Sequence, residues 1–494
     1  MSWLATIGLE IHVQLKTESK MFCACAVRHG DAPNTHVCPV CLGYPGAQPV
    51  INGEAVRMTA MAGLMLGCEV QRFSKFDRKS YFYPDMPKNY QISQYDKPIC
   101  LGGGITLPAC EGRPEPRRIR LTRIHLEEDV AKNTHHARCS TVDFNRAGVP
   151  LMEIVTEPDL RSPEEAFDFL HALKETLVYL GVSDCNLEEG NLRCDVNVSL
   201  RAGEDAPLGT KSELKNLNTF KGVRDALRFE IDRQSAILDG GGRVVQETRR
   251  WDAESGATYS MRTKEDAHDY RYFPEPDLLP VLLDDARIEA WRKALPELPS
   301  ARRERFVNEL GLPAYNAEVI TADKAFAEFF ESAVGALKDK SRAAALSNFF
   351  CGDIAAFFND SGIVFGEMPD CAGYTAATAP AVAALYELNA GGVISGPTLK
   401  ALAPEVLSTD PAKKILDPKA EVEKRGLAQV GDDSALEAWV DQAIAANPGP
   451  VADFKAGKKS AAGFFVGQVM KLSKGKADPK KVSGMVMKKL SALA

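Results

Sequence analysis

The sequence predicts an α+β protein, with a mixed N-terminal region followed by an all-helical remainder. Residues 8–15 and 192–200 alternate apolar and polar side chains with a period of two, as a strand with one buried face does. Residues 162–181 carry the start and stop signals of one long helix. Beyond about Asp284 the alternation gives way to helical spacing, as in 322–330 and 341–350, punctuated by Pro296, Pro299 and Pro313.

In the first strand Leu9, Ile11, Val13 and Leu15 point one way, and Glu10, His12 and Gln14 the other. Next comes Cys23-Ala24-Cys25, then Cys38-Pro39-Val40-Cys41. Two close pairs across a short loop can wrap a tetrahedral zinc ion with four thiolates. Four buried free thiols are the alternative. A fully thiolate site leaves no open position for water, so its role would be structural. His29 and His36 lie in the loop and are read as solvated.

Residues 119–126 look like a strand that ends in Glu127-Glu128-Asp129. Ser162 suits an N-cap, Pro163 the first turn, and Glu165 completes a capping box. Phe167, Leu170, Leu173, Leu177 and Leu180 form the apolar face of this helix, and Gly181 can end it in a left-handed conformation. The strand at 192–200 shows a polar face of Arg193, Asp195, Asn197 and Ser199. The segment 211–216 places Lys211, Glu213 and Lys215 together. Glycine runs at 102–104 and 240–242 suit turns between strands. Taken singly, each acidic segment is most simply a solvated turn or a charged edge strand.

A chain of 494 residues has room for several domains. The expected division is 1–292 for the mixed region, 293–405 for a helical domain and 406–494 for a helical tail. A net charge of −7 argues against coating nucleic acid through bulk charge, so any such contact must be local. The N-terminal residues show no signal or transit peptide, and no apolar run approaches a membrane span. With 12 cysteines diluted over the chain, a reducing cytoplasm is the expected compartment. Gly457-Lys458-Lys459-Ser460 mimics the end of a phosphate-binding loop, but Ala452 stands where that motif needs glycine.

Several segments then carry a specific resemblance. Ile7-Gly8-Leu9-Glu10-Ile11-His12-Val13, the run from Lys75 to Asp85, and Tyr90-Gln91-Ile92-Ser93-Gln94 are similar to the B subunit of the tRNA-dependent amidotransferases. So are His125-Leu126-Glu127-Glu128-Asp129, the run from Glu189 to Asp195, Glu213-Leu214-Lys215-Asn216-Leu217-Asn218, Gln246-Glu247-Thr248-Arg249-Arg250 and the run from Asp269 to Asp277. The resemblance spans nearly the whole chain. It implies a cradle of antiparallel sheet with helices, then a helical domain and a tail domain.

It also implies a heterotrimer. The A chain would be an amidase that releases ammonia from glutamine, and the C chain a small third member. The B chain would bind ATP and a mischarged tRNA. It would phosphorylate the side-chain carboxylate of Glu on tRNA(Gln) or Asp on tRNA(Asn), and ammonia would then displace phosphate. Two anions must meet in such a reaction, so Mg²⁺ and basic side chains are needed. The resemblance puts Mg²⁺ on Glu10, His12, Glu128 and Glu213. Glu127, Asp195 and Asn197 are expected close by, and Lys79 and Arg249 are expected on phosphate.

From Asp453 onward ten lysines face two aspartates, a strongly basic tail on an acidic chain. Phe464, Phe465, Val469 and Met470 offer an apolar helix face beside them. The expected use is a phosphate-binding patch for tRNA that includes Lys458, Lys459, Lys471, Lys474 and Lys476. A soluble helical cap with a charged exterior is the alternative.

Overall fold

The computed structural model describes residues 3–187, 190–263, 270–429, 433–456, 458, 460–473 and 476–493. The chain forms two compact units, Met1–Leu298 and Pro299–Ala494. The first is sheet with helices and the second is helical, which is the α+β class that the sequence predicts.

The strands of the first unit that frame the site are β1 (Leu4–Gln14), β2 (Asp77–Ser80), β3 (Tyr90–Ser93), β4 (Arg117–Glu128), β5 (Pro150–Thr156), β6 (Leu192–Arg201), β7 (Ser212–Lys215), β8 (Glu247–Asp252), β9 (Ala257–Thr263) and β10 (Phe273–Pro274). The main sheet runs β9-β8-β7-β6-β1-β5-β4, and the short strands Cys100–Leu101 and Glu69–Val70 extend its edge. A small sheet, β10-β2-β3, stands apart from it. Main-sheet pairing is antiparallel except between β7 and β8. That parallel pair needs a crossover, which helix Phe220–Asp239 supplies.

One face of the main sheet is the core. Ile7, Leu9, Ile11 and Val13 of β1 are buried there with Val196, Val198, Ile154 and Leu126. Three helices pack against this core: Gly53–Met65, Pro163–Leu180 and Phe220–Asp239. In the second helix Ser162 Oγ accepts from the Glu165 amide at 3.1 Å, and Gly181 ends the helix at φ 73°. The Glu165 carboxylate reaches one residue further back than a capping box requires, accepting from the Arg161 amide at 2.8 Å. Phe169 is buried here, while Phe167 is half-buried and packs on His171 at 4.4 Å. Each fully covered Leu in this helix contributes about 1.5–3 kcal/mol.

The helical unit holds two cores. The first begins at Phe306, is rich in phenylalanine (Phe326, Phe329, Phe330, Phe350), and continues past residue 405 through Ile415 and Val422. The segments read as helical lie here as Lys324–Ala336 and Ala343–Phe349. The second core starts at Leu436 and joins helices Asp433–Ala446, Ala461–Leu472 and Pro479–Leu493. Phe465 and Val469 are buried inside it, and Phe464 is exposed. Of the apolar residues expected beside a lysine surface, Phe465 and Val469 therefore build the core of this helical piece and Met470 packs against it. Among the described residues, no helix is long and apolar enough to cross a membrane.

Candidate active site

The second face of the main sheet is polar. Because β1 alternates, burying Leu9, Ile11 and Val13 forces Glu10 and His12 onto this face. Register sets their neighbours: His12 lies opposite Glu153 on β5 and Arg193 on β6, and Glu153 lies opposite His125 on β4. Glu10 lies opposite Asp195, and Asn197 opposite Glu213.

The His12 Nε2 atom is 3.3 Å from Glu153, 3.7 Å from Glu127 and 3.8 Å from Glu10. Two overlapping sets, Glu10–His12–Glu153 and His125–Glu127–Glu153, each bring their ligand atoms within 4.8 Å of one another. Ser93 Oγ donates to Glu127 at 3.3 Å.

A cavity of about 330 Å³ opens on this face, with His12, Lys79, Glu127, Asp129, Arg193 and Lys215 on its walls. Burial and the nearby Glu153 push Glu127 up to about 7. Glu153 is held well below the usual carboxylate range despite its burial, by the His125 and His12 imidazoles and by Lys79. Burial opposes the charge on His12, but the bond to Glu153 and the charge of Glu127 raise it to about 9. Burial pushes His125 down to about 4.

Lys79, half-buried, sits above its ordinary value against the cost of leaving water, chiefly through Glu127 and Tyr272, and its ammonium lies 4.8 Å over the Tyr270 ring. Lys215 is raised likewise, against burial, by Asp195 and Glu213. It binds Asp195 and lies 3.2 Å from Glu213. Asp129 accepts from Gln14 Nε2 at 2.7 Å and lies 2.7 Å from the Arg193 guanidinium.

Of the residues expected to act together, Glu10, His12, Glu127, Asp195 and Lys79 share this face or its cavity. Glu213 stands on the same face two strands from β1, where it accepts from Thr248 Oγ1 at 2.7 Å; it belongs to neither ligand set. Glu128 points to the opposite face. There it is nearly fully buried, binds Lys88, and accepts from the Ile92 amide at 2.9 Å. Arg249 also lies away from the cavity, donating to Thr258 Oγ1 at 2.8 Å and pairing with Glu247 and Glu230.

Sequence reading passed over Glu153, His125, Asp129, Arg193 and Lys215 as site residues. A signal for Glu153 was present. It is the lone carboxylate in Pro150-Leu151-Met152-Glu153-Ile154-Val155, a run otherwise suited to full burial, and a buried carboxylate needs a partner.

The four thiols of Cys23, Cys25, Cys38 and Cys41 also converge within 4.8 Å. Hydrogen bonding from Cys23 leads the effects that hold the Cys41 thiol down to about 4, while Cys23 is pushed up. The Cys38 amide donates to Cys41 Sγ at 3.2 Å. Lys20, with 0% of its surface exposed, donates to Cys41 Sγ at 3.6 Å and to the Phe144 carbonyl at 3.1 Å.

In the tail, Lys458 is exposed and pairs with Asp453, and Lys471 is exposed. Lys476 is half-buried. Lys459 and Lys474 lie outside the described residues, as do Glu189 and Asp269 of the motif segments. Lys481 and Lys489 of the same basic run pair with Asp433 and Asp441 of a neighbouring tail helix.

The fold and this face define a class: an α+β protein whose main sheet gathers a carboxylate–imidazole cluster beside two half-buried lysines. Comparison with known proteins makes the class particular. Residues 5–289 match the GatB/GatE catalytic domain, and residues 328–490 match the GatB domain. The chain is 48% identical over 492 residues to the B subunit of the aspartyl/glutamyl-tRNA(Asn/Gln) amidotransferase of Thermoanaerobacter pseudethanolicus, covering 99% of this chain and 100% of that one. It is 50% identical over 489 residues to the protein of that name in an Anaeromyxobacter species, covering 98% of each. For Solidesulfovibrio magneticus the identity is 49% over 486 residues, again covering 98% of each. The chain belongs to the GatB/GatE family.

Proposed function

We propose that this chain is the ATP-using, tRNA-binding subunit of a glutamyl-tRNA(Gln)/aspartyl-tRNA(Asn) amidotransferase, a glutamine-dependent carbon–nitrogen ligase. It works in the cytoplasm with an amidase and a small third chain. The observation that carries this reading is the cavity in which Lys79 and Lys215 share the walls with His12 and Glu127, members of the two overlapping sets that Glu153 joins.

The chemistry follows from leaving groups. Hydroxide leaves a carboxylate poorly, so an oxygen of the substrate side chain takes the γ-phosphoryl of ATP and ADP departs. Ammonia from the amidase then attacks the acyl carbon. Phosphate leaves with that oxygen, and the amide remains. Lys79 and Lys215 hold phosphate oxygens, and Asp129 fixes Arg193 at the cavity wall. Glu10, His12, Glu127 and Glu153 would hold Mg²⁺, with three carboxylates as the oxygen donors this ion prefers. Bound there, the ion offsets the repulsion between carboxylate and triphosphate.

The cysteine cluster reads as a structural zinc clasp. Burying an ammonium without a partner anion is costly. Zinc held by four thiolates would carry a net negative charge and would give the buried Lys20 its counter-charge. The tail carries the second contact to tRNA, through phosphates, with Lys458, Lys459, Lys471, Lys474 and Lys476 as the patch. Removing residues 433–494 should weaken tRNA binding and flatten its salt dependence; an unchanged salt slope would refute the patch.

An isotope test addresses the chemistry. A mischarged tRNA whose side-chain carboxylate carries ¹⁸O is given to the assembled complex with ATP and glutamine. The reading predicts ¹⁸O in the released phosphate. Phosphate without label would show that the carboxylate is not activated by phosphorylation.

A further inference from the structure

We infer that two aromatic arms at the mouth of the cavity form a stacking platform for the single-stranded 3′ end of the substrate tRNA. The inference rests on the functional reading above and assigns it a surface.

Both arms begin on the cavity wall, at Tyr81 and Tyr270. From Tyr81 the next ring is Tyr83, with centroids 6.2 Å apart, and Tyr83 is 45% exposed. From Tyr270 the chain of rings continues to Tyr272 at 6.1 Å and then to Tyr95, which stacks on Tyr272 at 4.3 Å with planes 12° apart. Tyr95 is 53% exposed. Phe82, between Tyr81 and Tyr83 in sequence, is 68% exposed and lies 5.7 Å under the Arg271 guanidinium.

The small sheet holds both arms together. Tyr81 and Tyr83 sit on the turn between β2 and β3, Tyr95 follows β3, and Tyr270 and Tyr272 precede β10. The Ser80 amide donates to the Tyr270 carbonyl at 2.9 Å and ties the two segments.

A contiguous group of exposed rings, unlike a single exposed one, marks a surface that binds something. Here the partner is constrained by the site. The group to be activated is attached to the last nucleotide of an unpaired strand, so that strand must cross the rim of the cavity. Unpaired bases are recognised by stacking on aromatic faces, and every base offers a face, so a platform serves tRNAs for both amino acids. The cations lie over rings as well, Lys79 on Tyr270 and Arg271 on Phe82, next to where backbone phosphates would pass.

The test uses the full chain in its complex and two RNAs: glutamyl-tRNA(Gln) with an intact 3′ end, and the same tRNA lacking its three terminal nucleotides. Binding and turnover of the intact RNA by the wild type test the functional reading itself. Tyr83→Ala and Tyr95→Ala should then each weaken binding of the intact RNA by about 5- to 100-fold, the range stacking provides. Truncated RNA should bind wild type and variants equally, and Tyr95→Phe should keep wild-type affinity. Unchanged binding of intact RNA would overturn the platform. So would an equal loss for both RNAs, or loss of a partner chain from the variant complex, which would make the rings a protein contact.

Discussion

The two faces of one strand end differ more than their sequence suggests. Glu127 and Glu128 are adjacent and both buried, yet they lie in opposite environments. Glu127 looks into a cavity beside Glu153, His12 and Lys79, where like charges crowd. Glu128 looks into the core side, where Lys88 and the Ile92 amide satisfy it. Behind it lie Lys20 and Cys41, the edge of the cysteine clasp. The difference separates a face where carboxylates crowd around imidazoles and lysines from one where a carboxylate is satisfied by a single lysine and a backbone amide.

The largest expected effect comes from Glu127→Gln. It should reduce tRNA-dependent phosphate release by about a hundredfold or more, since it removes a donor from the cation cluster. Its melting temperature should stay level or rise, because a carboxylate crowded by Glu153 becomes neutral. Glu128→Gln should do the reverse. Leaving the Lys88 ammonium buried without its partner should cost about 3–5 kcal/mol in urea unfolding, with activity per folded molecule kept. Reversed outcomes would exchange the roles of the two faces.

On the structural side, Lys20→Met should weaken zinc retention against a chromogenic chelator by about 10- to 100-fold. Equal retention would mean that the buried ammonium does not serve the thiolates.

The smallest effect concerns the network that holds Arg249. Glu230, fully buried, is held below the usual carboxylate range against its burial, by Arg233 and Gln234. A depressed carboxylate stabilises the fold above its unfolded value of about 4.3 and loses that contribution as pH falls through its folded value. Between pH 7 and pH 3 the urea midpoint should therefore fall further for wild type than for Glu230→Gln. Parallel falls would show that this network does not contribute to acid sensitivity.

Much of this was legible in the sequence, and what was not has a physical reason. Alternation in β1 placed Glu10 and His12 on one face, and the signals around Ser162 and Gly181 marked their helix. Convergence between strands was not legible, because register depends on pairing partners far apart in the chain. Glu128 shows this most clearly. Counting in twos from Ile119 and Leu121, which lie in the core, puts Glu127 inward and Glu128 on the polar face. The register of β4 against β5 shifts between Val155 and Thr156, whose partners are Arg123 and Leu121, so Thr122 is an extra residue. This bulge reverses the parity: Ile124 and Leu126 take the core side and Glu127 turns to the cavity. Arg249 faces away for a related reason, because its partner Leu214 belongs to the core face.

The central claim is that the carboxylate-activating site lies on the polar face. It is tested most directly by giving the assembled complex γ-³²P-labelled ATP and mischarged tRNA without any ammonia donor. Phosphate release is then followed for wild type, Glu127→Gln and Glu128→Gln. The account predicts release by wild type and by folded Glu128→Gln, and none by Glu127→Gln, with tRNA binding kept in all three. Equal release by wild type and Glu127→Gln would contradict it and move the chemistry off this face.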